Sequence, residues 1–141
     1  MKVSVGSDHG GFDLKELVVA FLRDSGHEVV DVGCHSPTSC DYPDFARDVC
    51  EQVLSGSCER GILICGTGIG MSIAANRHRE IRAALCHEGF SARMSREHNN
   101  ANVLCLGARV TGPELALDIV GQWMVSEFAG GRHQRRLDML S

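Results

Sequence analysis

Gly61-Ile62-Leu63-Ile64-Cys65-Gly66-Thr67-Gly68-Ile69-Gly70-Met71-Ser72 is the segment on which the fold turns. Residues 61–65 form a short, uninterrupted apolar run, the pattern of a strand buried on both faces. Such a strand needs helices above and below it, which points to a parallel sheet. The glycines that follow let the backbone turn sharply, and a helix is expected from about Gly70 to Arg77.

Outward from this unit the same alternation repeats. Towards the N-terminus lie a β-branched strand at Lys2–Gly6, a helix at Phe12–Ser25, a second strand at Glu28–Val32 and a helix at Asp44–Leu54. Residues 33–43 read as a loop carrying Gly33, Pro37 and Pro43, with Tyr42 on it. Towards the C-terminus follow a strand at Ile81–Cys86, a helix at Gly89–Glu97, a strand at Ala101–Leu106, a helix at Pro113–Phe128 and a short helix at Arg132–Leu140. The expected fold is α/β: a single doubly wound, Rossmann-like domain spanning 1–141, with a five-stranded parallel sheet and helices on both faces, an α/β/α sandwich. Ligands of such sheets bind beyond the carboxyl ends of the strands, where strand order reverses. That rule directs attention to Asp8-His9-Gly10-Gly11, to Cys65–Gly70, and to Gly107-Ala108-Arg109.

Composition narrows the function. The 141 residues amount to about one domain, and a formal charge of −4 argues against general nucleic-acid binding. No apolar run reaches the ~18–20 residues of a membrane span, and Met1–Gly6 lacks the apolar stretch of a secretion signal, so a cytoplasmic protein is expected. None of the seven cysteines forms a zinc-type C-x2-C to C-x4-C pair. An odd count without a signal argues against a disulfide framework. Most read as small buried hydrophobes in a reducing compartment, and only Cys65 stands apart by position.

The Cys65–Ser72 turn is neither a dinucleotide fingerprint, since Met71 occupies the third glycine position, nor a P-loop, since it lacks Gly-Lys-Ser/Thr. What remains is an anion-binding turn with a thiol at its start and the Thr67 hydroxyl inside it. A thiol near a helix N-terminus can act as base or nucleophile; a buried strand-end cysteine accounts for it equally well. Asp8 and His9 are adjacent at a strand end, which packing explains poorly, although Asp8 also suits a helix N-cap. His98 and Asn99 sit at a helix end, where both residues are ordinary, yet histidine exchanges protons near neutral pH. Arg132 and Arg136, four apart, join His133 and Arg135 in a basic cluster, and Arg109 adds a cation; guanidinium forks suit phosphate, while a solvated helix carries such charges too. Together the thiol, the turn, the histidine and the arginines fit proton transfer on a small phosphorylated carbonyl compound. The absence of an evident metal-ligand set favours an enediolate route over a metal-assisted hydride shift, with no metal and no cofactor.

Five segments carry a family resemblance over nearly the whole chain: residues 6–11, 41–43, 61–70, 95–99 and 130–136. The chain resembles ribose-5-phosphate isomerase B, in the family that also holds the galactose-6-phosphate isomerase subunits. The resemblance implies a metal-independent aldose–ketose isomerase, with Cys65 as the base that moves a proton between C1 and C2. It implies that Thr67 and the N–H groups of Gly66, Thr67, Gly68, Ile69 and Gly70 hold the enediolate oxygens. His98 would open the furanose ring with Asp8 on the other side of the substrate, and His9, Arg132 and Arg136 would bind phosphate with Arg109 close by. Asn99 and Tyr42 would contact hydroxyls or the ring. It also implies a homodimer, or a tetramer of paired dimers, with sites shared between subunits. His98, Asn99 and the arginines, Arg109 among them, are expected from the chain opposite Cys65, or in the reverse split for some of the arginines. The same mechanism on allose 6-phosphate, galactose 6-phosphate or a tetrulose phosphate, and a non-catalytic sugar-phosphate binder, remain as alternatives.

Overall fold

A computed structural model describes residues 1–140. The strands are β1 (Lys2–Ser7), β2 (Glu28–Gly33), β3 (Arg60–Cys65), β4 (Ala83–Leu85) and β5 (Val103–Gly107). The helices are α1 (Phe12–Asp24), α2 (Tyr42–Leu54), α3 (Ile69–Ala75), α4 (Gly89–Glu97), α5 (Pro113–Val125) and α6 (Arg132–Asp138), with one 3-10 turn at His9–Gly11. The sheet order is β2-β1-β3-β5-β4 and every pairing is parallel. No described helix is long and apolar enough to cross a membrane.

The period of two along the central strands divides the core. Ile62 and Ile64 of β3 join Leu104 and Leu106 of β5 on the face covered by α1, α4 and α5. Leu63 and Cys65 join Val103 and Cys105 on the face covered by α2 and α3. The helices match this with apolar stripes at helical spacing: Leu14, Val18, Val19 and Leu22 in α1, and Ala116, Ile119, Val120, Trp123 and Met124 in α5. The chain leaving β3 therefore turns to the opposite face from the chains leaving β1 and β5. Their carboxyl ends lie flush, with Ser7 beside Ile64 and Cys65 beside Gly107. The three segments singled out by the strand-end rule lie on the three central, adjacent strands.

Several boundaries differ from the sequence reading. Helix α2 begins at Tyr42, so Tyr42 is helical rather than a loop residue; Asp41 is the N-cap and Pro43 fits the first turn. Strand β4 is only three residues long. The Arg82 N–H donates to Asn102 Oδ1, and the Asn76 amide both accepts from the Ala83 N–H and donates to its carbonyl, so side chains replace ladder bonds at this edge. Helix α5 stops at Val125 because its last carbonyls have other partners. Arg60 donates to the carbonyls of Trp123 and Met124, and the Ser126 hydroxyl donates to that of Gln122. Of the cysteines expected to be buried, Cys40 is not: it is partly exposed on the loop after β2.

Lys15 is fully buried on α1. Its ammonium donates to Asp31 Oδ2 at 2.7 Å and to Glu16 Oε1 at 2.8 Å, while Asp31 Oδ1 accepts from the Gly33 N–H. Burial lowers the Lys15 pKa, but bonds to the two carboxylates outweigh it and leave the net shift upward from 10.5. With the folded value raised, this contribution to stability is complete below about 10.5 and is lost as pH rises through the folded value. Asp31→Asn keeps the acceptor for Gly33 but leaves the buried Lys15 charge with Glu16 alone, and should cost about 3 kcal/mol in urea denaturation. Adding Lys15→Met to that variant should restore about half of the loss; no recovery would show that the pair is not what Asp31 contributes.

Candidate active site

The turn after β3 is built around one backbone position. Gly68 has φ +78, and a Cβ there would lie 2.5 Å from Leu85 Cδ1 and 2.9 Å from the Leu106 carbonyl carbon. The resulting turn aims the Gly68 N–H at Cys65 Sγ, 3.2 Å away, which fixes the sulfur and offers a donor to negative charge on it. Thr67 Oγ1 accepts the Ile69 N–H at 3.2 Å, so the Thr67 hydroxyl hydrogen stays free to donate outward. Two of the five N–H groups assigned to substrate oxygens by resemblance, those of Gly68 and Ile69, are thus engaged within the turn itself.

The other elements close around this turn. The Arg109 N–H donates to the Gly66 carbonyl at 2.9 Å, and the Arg109 side chain lies over Gly66, with Cδ 3.4 Å from where a Cβ would be. Arg109 therefore stands beside the Cys65 turn on the same chain. From β1, the Asp8 carboxylate is buried and accepts the Gly11 N–H at 3.1 Å. His9 Nδ1 accepts the Cys40 N–H at 3.3 Å. A backbone N–H can only donate, so Nδ1 carries no proton and Nε2–H is left as the donor facing outward. The Tyr42 ring packs on Gly70, where a Cβ would come within 2.8 Å of it.

His98, Asn99 and Arg136 form a second group. They line a cavity of about 320 Å³ together with His133, Leu137 and Leu140. His98 caps α4 and stacks on His133, ring centroids 4.2 Å apart and planes at 12°. Burial lowers the His133 pKa, and the nearby His98, Arg132 and Arg136 lower it further, which favours the neutral form of its ring. Arg132 opens α6, four residues from Arg136, exposed and outside this cavity. The structure thus brings together Asp8, His9, Tyr42, Cys65–Gly70 and Arg109 in one place, and His98, Asn99 and Arg136 in another.

Two further contributions escaped the sequence reading. His133 was visible only as one charge of a basic run, and nothing local marks it as the ring beneath His98. Arg96 donates to the Ala101 carbonyl at 2.6 Å and to Asn100 Oδ1 at 3.0 Å, bracing the turn that presents His98 and Asn99. Among the described residues no group of histidine, cysteine and carboxylate side chains is arranged to hold a metal ion.

Comparison with known proteins places these features in context. A family model described as Ribose/Galactose Isomerase matches residues 3–140. Ribose-5-phosphate isomerase B of Escherichia coli K12 is 49% identical, over 99% of this chain and 94% of its own length. D-erythrulose-4-phosphate isomerase of Pectobacterium atrosepticum is 45% identical, over 93% of this chain and 87% of its own. The solved structure of Clostridium thermocellum ribose-5-phosphate isomerase B superposes with a TM-score of 0.98 at 56% identity, covering 99% of this chain and 95% of that one.

The turn geometry is open to test. Gly68→Ala places a side chain both in the left-handed region and against Leu85, and should lower stability by 2 kcal/mol or more, on the order of the strain expected there. Gly66→Ala meets only the flexible Arg109 side chain and should cost less than about 1 kcal/mol. Equal losses by thermal denaturation would reject the special role of position 68.

Proposed function

The chain belongs to the Ribose/Galactose Isomerase family and is an isomerase; on that premise we propose that it interconverts ribose 5-phosphate and ribulose 5-phosphate through an enediolate, without a metal. The observation that carries the reading is the Cys65 sulfur held by the Gly68 N–H beside the free Thr67 hydroxyl and Arg109. In the open-chain aldose the proton at C2 must move to C1. Cys65 takes it from C2 and returns it to C1, while the hydroxyl proton passes between O2 and O1. The negative charge that develops on these oxygens meets Thr67 and the N–H groups of the turn not engaged internally, those of Gly66, Thr67 and Gly70. Sugar phosphates rest largely as rings, and His98 supplies the acid and base that open the ring, with Asp8 across the substrate. The His9 Nε2–H, Arg132 and Arg136 bind the phosphate with Arg109 nearby, and Asn99 and Tyr42 contact the sugar.

Such a reaction needs both groups of residues at one substrate, and a single chain holds them apart. We therefore assign the working unit as a homodimer in which one subunit supplies Cys65 and its turn, and the other supplies His98, Asn99 and the α6 arginines. Large apolar side chains exposed next to the turn support this, Ile69 and Ile73 on α3 and Val110 after Arg109. A phosphorylated intermediate of central metabolism fits a cytoplasmic enzyme. The family relative named for a four-carbon substrate favours one alternative, a tetrulose phosphate in place of the pentose.

Cys65→Ala should lower turnover of ribose 5-phosphate more than about a thousandfold while leaving its binding within about threefold, with EDTA without effect on the parent enzyme. Near-normal turnover would remove Cys65 as the base. Rates on ribose 5-, allose 6-, galactose 6- and erythrulose 4-phosphate side by side decide the substrate. The shared site makes its own prediction. Cys65→Ala and His98→Asn subunits, each inactive, should regain about one quarter of parent activity when mixed and reassembled, because half of random dimers keep one intact site of two. No recovery on mixing would place the whole site in one chain.

A further inference from the structure

The loop between β2 and α2 leaves and rejoins the end of β1, and a cysteine stands at each contact. The Cys34 N–H donates to the Ser7 carbonyl at 2.8 Å, and Cys34 Sγ lies 3.8 Å from Ser7 Oγ. Six residues on, the Cys40 N–H donates to His9 Nδ1 at 3.3 Å. Ser7 and His9 are two residues apart at the end of β1, so the two contacts hold the cysteines as neighbours on the same strand end. Cys34 is buried and Cys40 partly exposed, so a solute reaches Cys40 first. The isomerase mechanism uses neither sulfur.

We propose that Cys34 and Cys40 are a redox-modification site, converted by a peroxide to a reversible disulfide that withdraws the Cys40 N–H from His9 and weakens phosphate binding. The Cys40 thiolate attacks a peroxide oxygen, the O–O bond breaks, and Cys40 sulfenic acid and one water (for hydrogen peroxide) result. The Cys34 sulfur then attacks the Cys40 sulfur and expels hydroxide, which takes up the Cys34 proton as a second water. Two thiols and one hydrogen peroxide give one disulfide and two waters. The two sulfurs must close to about 2.05 Å to bond, and the loop main chain at Cys40 has to follow. His9 then loses the donor that fixes its Nδ1 unprotonated and its Nε2–H outward. A transient disulfide of this kind is the form expected in a reducing compartment. Burial and the neighbouring Cys34 and Asp8 hold the Cys40 thiol up, opposed by the His9 backbone N–H, so oxidation proceeds through a minority thiolate and quickens as pH rises above neutral.

Disulfide formation stands on the loop geometry alone; its effect on phosphate rests on the role proposed for His9. Trypsin isolates the question, because the fragment 24–47 contains Cys34 and Cys40 and no other cysteine, while 61–77 reports Cys65 separately. After hydrogen peroxide and then a maleimide, the fragment 24–47 should appear unlabelled and two hydrogens lighter, and dithiothreitol should return it to double labelling. Titration with inorganic phosphate should then show affinity at least fivefold weaker, and the KM for ribose 5-phosphate should rise with kcat within about twofold. Cys34→Ala should keep its phosphate affinity through the same treatment. Oxidation of Cys65 instead lowers kcat, marks 61–77 and persists in Cys34→Ala. The proposal is overturned if 24–47 stays doubly labelled under peroxide that oxidises 61–77, or if the disulfide forms and phosphate affinity does not change. An inactive reduced enzyme would fail the isomerase reading but leave the labelling and phosphate results to decide this one.

Discussion

Backbone meets backbone at the carboxyl ends of β1, β3 and β5, and the rest of the site depends on that approach. A Cβ on Gly11 would lie 2.6 Å from the Ile64 carbonyl oxygen, and one on Gly107 would lie 2.5 Å from that of Thr67. With side chains in those places the turn after β3 could not sit between the segments leaving its two neighbours. The Asp8 carboxylate, the Cys65 sulfur and the Arg109 guanidinium would then have no common centre. The parallel register serves the same end, since it brings the three strands out flush rather than staggered. The topology adds the opening: the chain after β3 departs to one face and the chains after β1 and β5 to the other, leaving a crevice on each side of the turn.

A second constraint holds the other group of residues. Arg60, at the start of β3, and Arg96, on α4, both donate to the Ser126 carbonyl, at 3.4 and 3.3 Å. Burial lowers both guanidiniums, that of Arg96 to about 10, with Arg60 and Arg82 adding to the Arg96 shift. They remain charged at neutral pH, and the carbonyls at the C-terminus of α5 are the partial negative charge that offsets their burial. The same Arg96 braces Asn100 and Ala101, and the Ala129 N–H donates to the Glu97 carbonyl at 2.9 Å. The end of α5, the end of α4 and the segment leading to α6 are thereby tied together, so His98 and His133 can meet face to face.

What could be read from the sequence follows the range of the forces involved. The β3 run of apolar residues identified a doubly covered strand because burial on both faces leaves a local mark. The strand-end rule then reached Asp8, Cys65 and Arg109 without any knowledge of strand order. Features made by distant partners were not legible. Nothing near Val125 announces that Arg60 takes the carbonyls that end α5, and nothing near Ala83 announces the Asn76 amide that shortens β4. The Cys40 N–H on His9 joins residues 31 apart and leaves no periodic trace. The grouping of His98 with Arg136, away from Cys65, is likewise invisible to spacing; only the family resemblance raised the prospect of a site divided between chains.

The seven cysteines show why depth alone does not assign chemistry to a thiol. Burial pushes Cys50 and Cys86 up to about 11, and Cys105 well above its ordinary value, with Cys65, Cys50 and Cys86 adding to the last. These three stay protonated and behave as small hydrophobes in the core. Cys65 is nearly as enclosed, at 5% exposure, and belongs to the same apolar cluster as Cys50 and Cys105. It differs in its position at the last residue of a strand, where the following turn must send N–H groups somewhere and sends one to its sulfur. Cys40 differs in another way, standing partly exposed where a loop returns to the end of β1 and its N–H meets His9 Nδ1. At Cys65 a main-chain donor at the end of a strand faces a sulfur that the core would otherwise have kept inert. A parallel α/β sheet collects such donors at one edge, the carboxyl edge, and there a cysteine passes from packing to chemistry.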